Sequence, residues 1–274
     1  MRCMKTLLIC HDDAELHREG VARWLASFST LAGIVVIHER KGIRWRRVRR
    51  EVRRVGLLRF ADGLAFRAYY KLFIANQDRA WAKDALRSLC ERHAPVPADT
   101  GVLHADSPNS ASCQQFIENC SPDIVIALCK TILKPQIFSI PPRGTFVLHP
   151  GTCPEYRNAH GCFWALASDD LDKVAMTLLR VDAGVDTGPV YGYFTYSFDE
   201  VAESHVVIQH RVVLENLSVL QQRLTAIFQG RANPIDTSAR PSAMWGQPWL
   251  TRYLRWKYKA RKRKADASPR PALS

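Results

Sequence analysis

The sequence lacks the features that mark several familiar protein classes. No apolar run reaches the ~18 residues that a membrane span needs, and no two of the eight cysteines have CxxC spacing, so no metal site is predicted. The opening segment MRCMKTLLICHDDAE turns acidic too soon for a secretory signal peptide. Cysteines such as Cys10 and Cys129 lie in apolar, strand-like segments where free thiols are common, so we expect a reducing, cytoplasmic compartment.

Acidic residues are scarce, and a glycine-rich fingerprint is missing. Asp and Glu total 26 against 39 Lys and Arg, which gives a net charge of +13. Much of the excess lies in residues 41–59 and 252–264. This charge favours anionic partners, namely phosphates, folate glutamates, nucleic acid or anionic lipid. The turn after the first predicted strand reads CHDDAELHREG and has no GxGxxG pattern, so a nicotinamide dehydrogenase is not favoured.

The sequence does contain an alternation of strand-like and helix-like segments. Short apolar or alternating runs predict strands at residues 5–10, 34–37, 102–104, 123–128, 144–149, 173–181 and 190–196. Helical spacing of apolar residues lies between them, at residues 14–28, 110–119, 132–140 and 161–167. We therefore predict an α/β fold whose mostly parallel, twisted sheet is flanked by helices.

The alternation is interrupted once, and it stops well before the carboxyl end. Residues 39–92 are basic and mostly helical, and we expect them to be an insertion in a domain that spans residues 1–230. That domain is expected to close with one long amphipathic helix from Glu200 to Gln229, with Asp199 as a fair N-cap. We expect residues 231–274 to be a Trp- and Pro-containing coil and a basic, partly disordered tail.

Two segments contain the candidate chemistry. FVLHPGTCPEYRNAHGCFWAL ends a predicted strand on His149, directly before a Pro-Gly turn. VDAGVDTGPV places two aspartates among glycines, which permit close backbone approach to a ligand. A lone histidine at a strand end is more often structural than catalytic. However, ligands of such sheets bind beyond the carboxyl ends of the strands, which is where His149 falls.

Together these segments resemble the formyltransferases that use 10-formyltetrahydrofolate, over roughly residues 100–196 and more weakly over 4–38. The resemblance implies a Rossmann-like formyltransferase fold, with 10-formyltetrahydrofolate as co-substrate. It makes His149 the catalytic histidine and Asp186 the catalytic aspartate. It also assigns folate contacts to two stretches, which supply Leu128, Cys129, Ile132, Leu133, Asp182, Gly184 and Val185.

The sequence departs from the family pattern at one position, because Val147 stands where the family has an asparagine. That asparagine and the histidine share the stabilisation of the oxyanion, and loss of one such donor costs ~2.7–4 kcal/mol. Asn158 or His160 could replace the missing donor. The alternative for Asn158 is that it merely adopts the left-handed turn geometry that glycine otherwise provides. Arg157 and Tyr156 are the candidates for binding the acceptor.

Several functional interpretations stay open. The leading one is an enzyme that formylates the amine of a small acceptor, such as an amino sugar. The second is a folate- or metabolite-binding protein with weakened or no turnover, which Val147 motivates. A protein similar to methionyl-tRNA formyltransferase is less favoured, because that group has a carboxyl-terminal β-barrel and here only a helix, a coil and a basic tail follow Tyr196.

The two basic segments, residues 41–74 and 252–264, each have three interpretations. Each could be a solvated amphipathic helix on its own domain, a helix peripheral to an anionic membrane surface, or a contact for RNA phosphates. No aromatic-rich motif for RNA recognition is visible, so nucleic acid is the less favoured partner.

Overall fold

The computed structural model describes residues 2–38 and 44–267, apart from the side chains of residues 44–48 and 50. One sheet contains seven strands: β1 (Lys5–His11), β2 (Thr30–Ile37), β3 (Gly101–Ala105), β4 (Ile124–Leu128), β5 (Thr145–His149), β7 (Met176–Arg180) and β8 (Val190–Phe194). Two short strands, β6 (Arg157–Asn158) and β9 (Met244–Trp245), pair separately. The predicted α/β class is confirmed.

The strand order in the large sheet is β3-β2-β1-β4-β5-β7-β8. The first five strands are parallel, and β7 and β8 are antiparallel to their neighbours. Strand β1 lies in the centre, and its residues 6–11 are all buried because both faces of the sheet are covered. The carboxyl ends of β1, β4 and β5 therefore meet at one edge, where the order of connections reverses.

Helices cover both faces of this sheet. A π-helical turn (Leu16–Val21) leads into α1 (Ala22–Ala26), and the later crossovers contain α5 (Ala111–Cys120), α6 (Pro135–Phe138) and α7 (Gly161–Ala167). Ser110 caps α5, since its hydroxyl accepts a hydrogen bond from the backbone N–H of Cys113. All residues of α7 from Gly161 to Leu166 are buried, so this helix is part of the core.

The predicted helical insertion is present in the described part of residues 39–92. It consists of α2 (Arg44–Val55), α3 (Leu57–Phe73) and α4 (Ala75–Arg92), while residues 39–43 lie outside the described residues. Helix α4 packs on the π-helical turn, where a Cβ on Gly20 would lie 2.6 Å from Leu89 Cδ1. Asp78 of α4 is buried and accepts hydrogen bonds from Tyr70 and Ser204. The insertion is thereby tied to the rest of the chain.

The predicted single helix from Glu200 to Gln229 is wrong. The chain forms two helices instead, α8 (His205–Leu214) and α9 (Leu217–Phe228), which are separated at Glu215 and Asn216. Ser204 caps α8 by accepting from the backbone N–H groups of Val206 and Val207. The Asp199 carboxylate closes the preceding turn, because it accepts from Val201 and Ala202. The better cap therefore lies five residues further on.

The carboxyl-terminal segment is more ordered than predicted. Residues 250–267 form α10 (Leu250–Ala267), whose Tyr253, Trp256 and Ala260 are buried against the domain. The basic segment 252–264 is therefore a helix that packs on its own domain, which was one of its three interpretations, and residues 268–274 lie outside the described residues. A domain boundary at residue 230 stays a prediction. Among the described helices, none combines the length and the apolar character that crossing a bilayer requires.

Candidate active site

His149 is the last residue of β5, at the edge of the sheet where the carboxyl ends of the parallel strands meet. Its side chain is buried, with 4% of the residue exposed. Val147 lies two residues earlier on the same face of the strand and lines the same cavity. Strand β5 thus places the imidazole of His149 and the apolar side chain of Val147 at the same cavity.

The two ring nitrogens of His149 have different partners. Nε2 lies 2.9 Å from the backbone oxygen of Tyr156, which can only accept, so Nε2 carries a proton. Nδ1 lies 3.5 Å from Oδ2 of Asp186. Because the backbone oxygen holds Nε2, Nδ1 is the ring nitrogen that faces the Asp186 carboxylate.

The turn after His149 is built for close packing. A Cβ on Gly151 would lie 2.7 Å from the Cα of Gly161, and one on Gly161 would lie 2.6 Å from the Cα of Gly151. Contacts this short exclude any side chain at either position. Thr177 of β7 holds the turn from the other side, since its hydroxyl donates to the backbone oxygen of Gly151 and accepts from the N–H of Cys153. The position of the imidazole therefore depends on backbone contacts that only glycine permits.

Asp186 reaches the histidine from the loop between β7 and β8. Its φ is +51°, in the left-handed region, and its Oδ2 accepts from the backbone N–H of Asn158 at 2.8 Å. The Arg157 guanidinium donates to the backbone oxygen of Val185 at 2.9 Å. Asp182 closes the same loop by accepting from Gly184 N and Thr187 Oγ1. The Asp186 carboxylate is thus held by the backbone of Asn158 on one side and by its own loop on the other.

One cavity of about 590 Å³ opens beside this pair. The three predicted catalytic residues, His149, Asp186 and Asn158, all line it. So do all the residues that the family resemblance assigned to folate, namely Leu128, Cys129, Ile132, Leu133, Asp182, Gly184 and Val185. The structure therefore brings the two sequence segments together, although their roles stay predictions.

The candidate replacements for the missing asparagine differ in their availability. Asn158 has φ +76°, and its side-chain amide donates to the Trp245 backbone oxygen at 2.5 Å, so it serves the turn geometry and the β6–β9 contact. His160 also lines the cavity, and its Nδ1 is buried without a hydrogen-bond partner among the described residues. Burial lowers the pKa of His160 to about 4, so its ring is neutral at neutral pH.

The two predicted acceptor-binding residues, Tyr156 and Arg157, are not among the residues that line this cavity, and their role stays a prediction. Tyr156 is buried, its hydroxyl donates to Asp170, and its ring stacks on Trp245 with centroids 5.6 Å apart. Arg157 is turned toward the loop that holds Asp186. These contacts engage the Tyr156 hydroxyl and one nitrogen of the Arg157 guanidinium, whereas Arg157 Nε is buried without a hydrogen-bond partner among the described residues.

Sequence reasoning missed a second set of polar residues on the cavity wall. They are His11, His17, Lys130, Gln209, His210 and Gln247. His11 ends β1 as His149 ends β5, so the strand-end rule could have found it. Burial lowers the pKa of His17 to about 3 and also lowers that of His210, whose ring centroid is 5.8 Å from that of His17. Burial therefore favours the neutral rings of His17 and His210, and the amides of Gln209 and Gln247 and the Lys130 side chain line the same cavity.

No protein-family model matches the chain. Among curated proteins, it is similar to methionyl-tRNA formyltransferase of Dehalococcoides mccartyi, with 33% identity over 113 residues that cover 38% of this chain and 35% of that protein. The same enzyme of Rhodococcus erythropolis is 24% identical over 166 residues, which cover 61% of this chain and 52% of that protein. The chain therefore spans between about a third and a half of the length of these relatives.

Solved structures show the same fold. A sugar N-formyltransferase from Shewanella sp. aligns with a TM-score of 0.53 at 13% identity, over 89% of this chain and 76% of that one. A 4-N formyltransferase from Francisella tularensis aligns with a TM-score of 0.52 at 9% identity, over 94% and 87% of the two chains. These identities are too low to show more than the fold. Sequence relatives and fold agree in one respect, because the chain is similar in sequence to formyltransferases and has a formyltransferase fold.

Proposed function

We propose that the protein transfers a formyl group from 10-formyltetrahydrofolate to the amine of a small acceptor. The observation that supports this most directly is the approach of His149 and Asp186 to 3.5 Å at the edge of one cavity. The cavity also suits the co-substrate. Leu128, Ile132 and Leu133 supply apolar surface for a flat heteroaromatic ring, and residues 129–133 lie outside helices and strands, so their backbone can bind the ring edges.

The amine nitrogen attacks the formyl carbon of the folate, and the bond between that carbon and N10 breaks. In the proposed mechanism, His149 donates a hydrogen bond from Nδ1 to the carbonyl oxygen as negative charge develops there. Asp186 accepts the proton that the attacking amine loses and delivers it to N10 of the folate as the bond between the formyl carbon and N10 breaks. Tyr156 contributes only its backbone oxygen, which fixes the ring through Nε2.

The test is an activity assay with purified protein, 10-formyltetrahydrofolate and a panel of amines. We expect turnover, and we expect His149→Gln and Asp186→Asn each to lower kcat/KM by about 10²–10³, because each removes a group that acts in the transition state. His93→Gln and Asp172→Asn are the matched controls, since neither residue lines the cavity. Equal activity of the site variants and their controls would remove His149 and Asp186 from the proposal.

The acceptor is proposed to be small, and an amino sugar is the leading candidate. Support comes from the structure of the Shewanella sp. sugar N-formyltransferase, which has the same fold and shares 76% of its length with this chain. The sequence relatives favour methionyl-tRNA as an alternative acceptor. Separate activity assays with a nucleotide-linked amino sugar and with methionyl-tRNA distinguish the two acceptors.

A second candidate function is folate or metabolite binding without turnover, and Val147 is the observation that favours it. Its side chain lines the cavity and cannot donate a hydrogen bond. We expect Val147→Asn to raise the rate of formyl transfer by about tenfold or more, because the new amide would add an oxyanion donor. Tight folate binding with no turnover in either form would favour the binding protein.

A further inference from the structure

Helix α3 is apolar on two opposite faces. Its inner face packs through Phe66, which is buried and whose ring lies 5.9 Å from that of Phe163 and 5.4 Å from that of Tyr253. Its outer face is exposed and apolar at helical spacing, with Leu57, Leu58, Ala61, Leu64, Ala65, Ala68 and Leu72. Leu58 is 88% exposed and Leu72 is 72% exposed. A helix that packs on a core through one apolar stripe normally has a polar outer face. The exposed apolar face of α3 therefore indicates a binding surface.

The exposed charges that α3 itself presents beside this outer face are of one sign, and the nearby Glu51 of α2 is paired with Arg54. Arg67 and Lys71 are exposed along one edge of the stripe. The single acidic residue of α3, Asp62, faces α10, where its carboxylate accepts from the backbone N–H of Thr251 at 3.0 Å. The apolar stripe therefore has a basic edge and no carboxylate of α3 beside it.

Helix α10 packs next to α3 through Tyr253 and continues the same surface chemistry. Its inward lysine and arginine residues are engaged, as Lys257 donates to backbone oxygens of residues 200–203 and Arg263 pairs with Glu200. Its outward basic residues have no ion-pair partner within residues 2–38 and 44–267; they are Arg252, Arg255, Arg261 and Lys262. Leu254 and Tyr258 are exposed among them.

We propose that the outer face of α3 and the adjoining exposed face of α10 dock onto an anionic lipid surface. In this arrangement the leucine side chains enter the boundary between headgroups and acyl chains while the basic residues meet the lipid phosphates. RNA phosphates would satisfy the arginines but leave four exposed leucines in water. A second copy of the chain would bring two basic faces together, which like charge opposes. The inference is independent of formyl transfer.

Vesicle co-sedimentation tests this proposal. Full-length protein is mixed with phosphatidylcholine vesicles that contain or lack phosphatidylglycerol. We expect binding only to the vesicles with anionic lipid. We expect Leu58→Gln/Leu72→Gln and Arg67→Gln/Lys71→Gln each to lower the partition coefficient by about tenfold or more, since each removes two groups that contact lipid. Val219→Gln/Ile235→Gln is the matched control, because it changes two exposed apolar residues elsewhere.

Three outcomes would overturn the proposal. The first is wild-type protein that stays in the supernatant with anionic vesicles, or a leucine variant that loses no more binding than the control variant. The second is binding to bulk tRNA that depends on Arg67 and Lys71 but not on the leucines. The third is a dimer in solution, detected by light scattering, that the leucine substitutions abolish. Circular dichroism of each variant checks that the fold is kept.

Discussion

At the scale of single residues, the site depends on which atom of a side chain faces the cavity. His149 Nε2 is held by a backbone carbonyl, so Nδ1 is the nitrogen that faces Asp186. Asn158, which has the right functional group for an oxyanion donor, uses it on Trp245 instead. Residue type and spacing predicted which residues lie at the site, but hydrogen bonds to backbone atoms distant in sequence decide what each side chain can do.

Gly151→Ala is expected to disrupt the site through sterics alone. Its Cβ would lie within 3 Å of the Gly161 Cα and the Tyr156 backbone oxygen, and neither can move without displacing the turn. We expect a loss of about 2 kcal/mol or more in the free energy of unfolding, measured by urea denaturation. Formyl transfer should fall as well, since the same carbonyl orients His149.

Gly63→Ala is the control for that experiment. Gly63 lies in the middle of α3, where a Cβ would meet nothing closer than 3.7 Å. Alanine is favoured over glycine in a helix by about 1 kcal/mol, so this change should stabilise the protein. Equal effects of the two substitutions would contradict the close-packing argument at Gly151.

At the scale of elements, helix caps join parts of the chain that are distant in sequence. The Ser204 hydroxyl accepts from two N–H groups at the start of α8 and donates to Asp78 of α4 at 2.8 Å. Tyr70 of α3 donates to the same carboxylate. Burial raises the pKa of Asp78, and the hydrogen bonds from Ser204 and Tyr70 offset part of that rise.

Ser204→Ala is therefore expected to cost more than an ordinary cap. Loss of an N-cap costs about 0.5–2 kcal/mol, and here the Asp78 carboxylate also loses a donor. We expect the free energy of unfolding to fall by about 2 kcal/mol, measured by chemical denaturation near pH 7. Ser218→Ala, an exposed position in the first turn of α9, should leave stability unchanged within error. A loss of stability in Ser204→Ala that is no greater than the loss in Ser218→Ala would rule out the shared role of Ser204.

Helix α10 is an element that composition alone misrepresents. Its sequence reads as a basic tail, yet Trp256 is 1% exposed and donates through its indole N–H to Glu200. Replacement by alanine should lower the free energy of unfolding by about 3–5 kcal/mol, because a large buried side chain and a hydrogen bond are lost together. Thermal denaturation followed by circular dichroism measures this. Tyr258→Ala in the same helix, 70% exposed, should cost far less.

At the scale of the whole molecule, buried histidines of the cavity wall make the stability of the fold depend on pH. His17 and His160 have pKa values lowered to about 3 and about 4, because burial disfavours the charged ring. In the unfolded chain a histidine pKa is about 6.5. Between those limits the unfolded state binds more protons than the folded one, so the protein loses stability as the pH falls.

We expect the free energy of unfolding to be independent of these histidines above about pH 6.5 and to decrease below it. At about pH 5.5 each of the two should cost about 1 kcal/mol, and the loss should continue toward pH 4. Urea denaturation midpoints across this range measure the effect. His160→Gln should flatten the profile, whereas a profile as steep as that of the wild type would show that other groups dominate.

Most of the architecture could be predicted from local patterns. The apolar run of β1 and the β-branched run of β4 indicate buried parallel strands because period and residue type are local properties. The pairing of His149 with Asp186 followed from the family resemblance. Nothing local marked the break between α8 and α9, since the apolar spacing continues across Glu215 and Asn216 while the backbone does not.

The sequence by itself determined the alternation of strands and helices, the strand-end position of His149 and the aspartate-glycine loop, because these depend on neighbours along the chain. Only the tertiary structure decided that β7 runs antiparallel to β5, that Tyr156 donates to Asp170 and Arg157 to Val185, and that α10 packs beside α3. Those features arise from contacts between residues far apart in sequence. Such contacts have no fixed spacing, so no local pattern reports them.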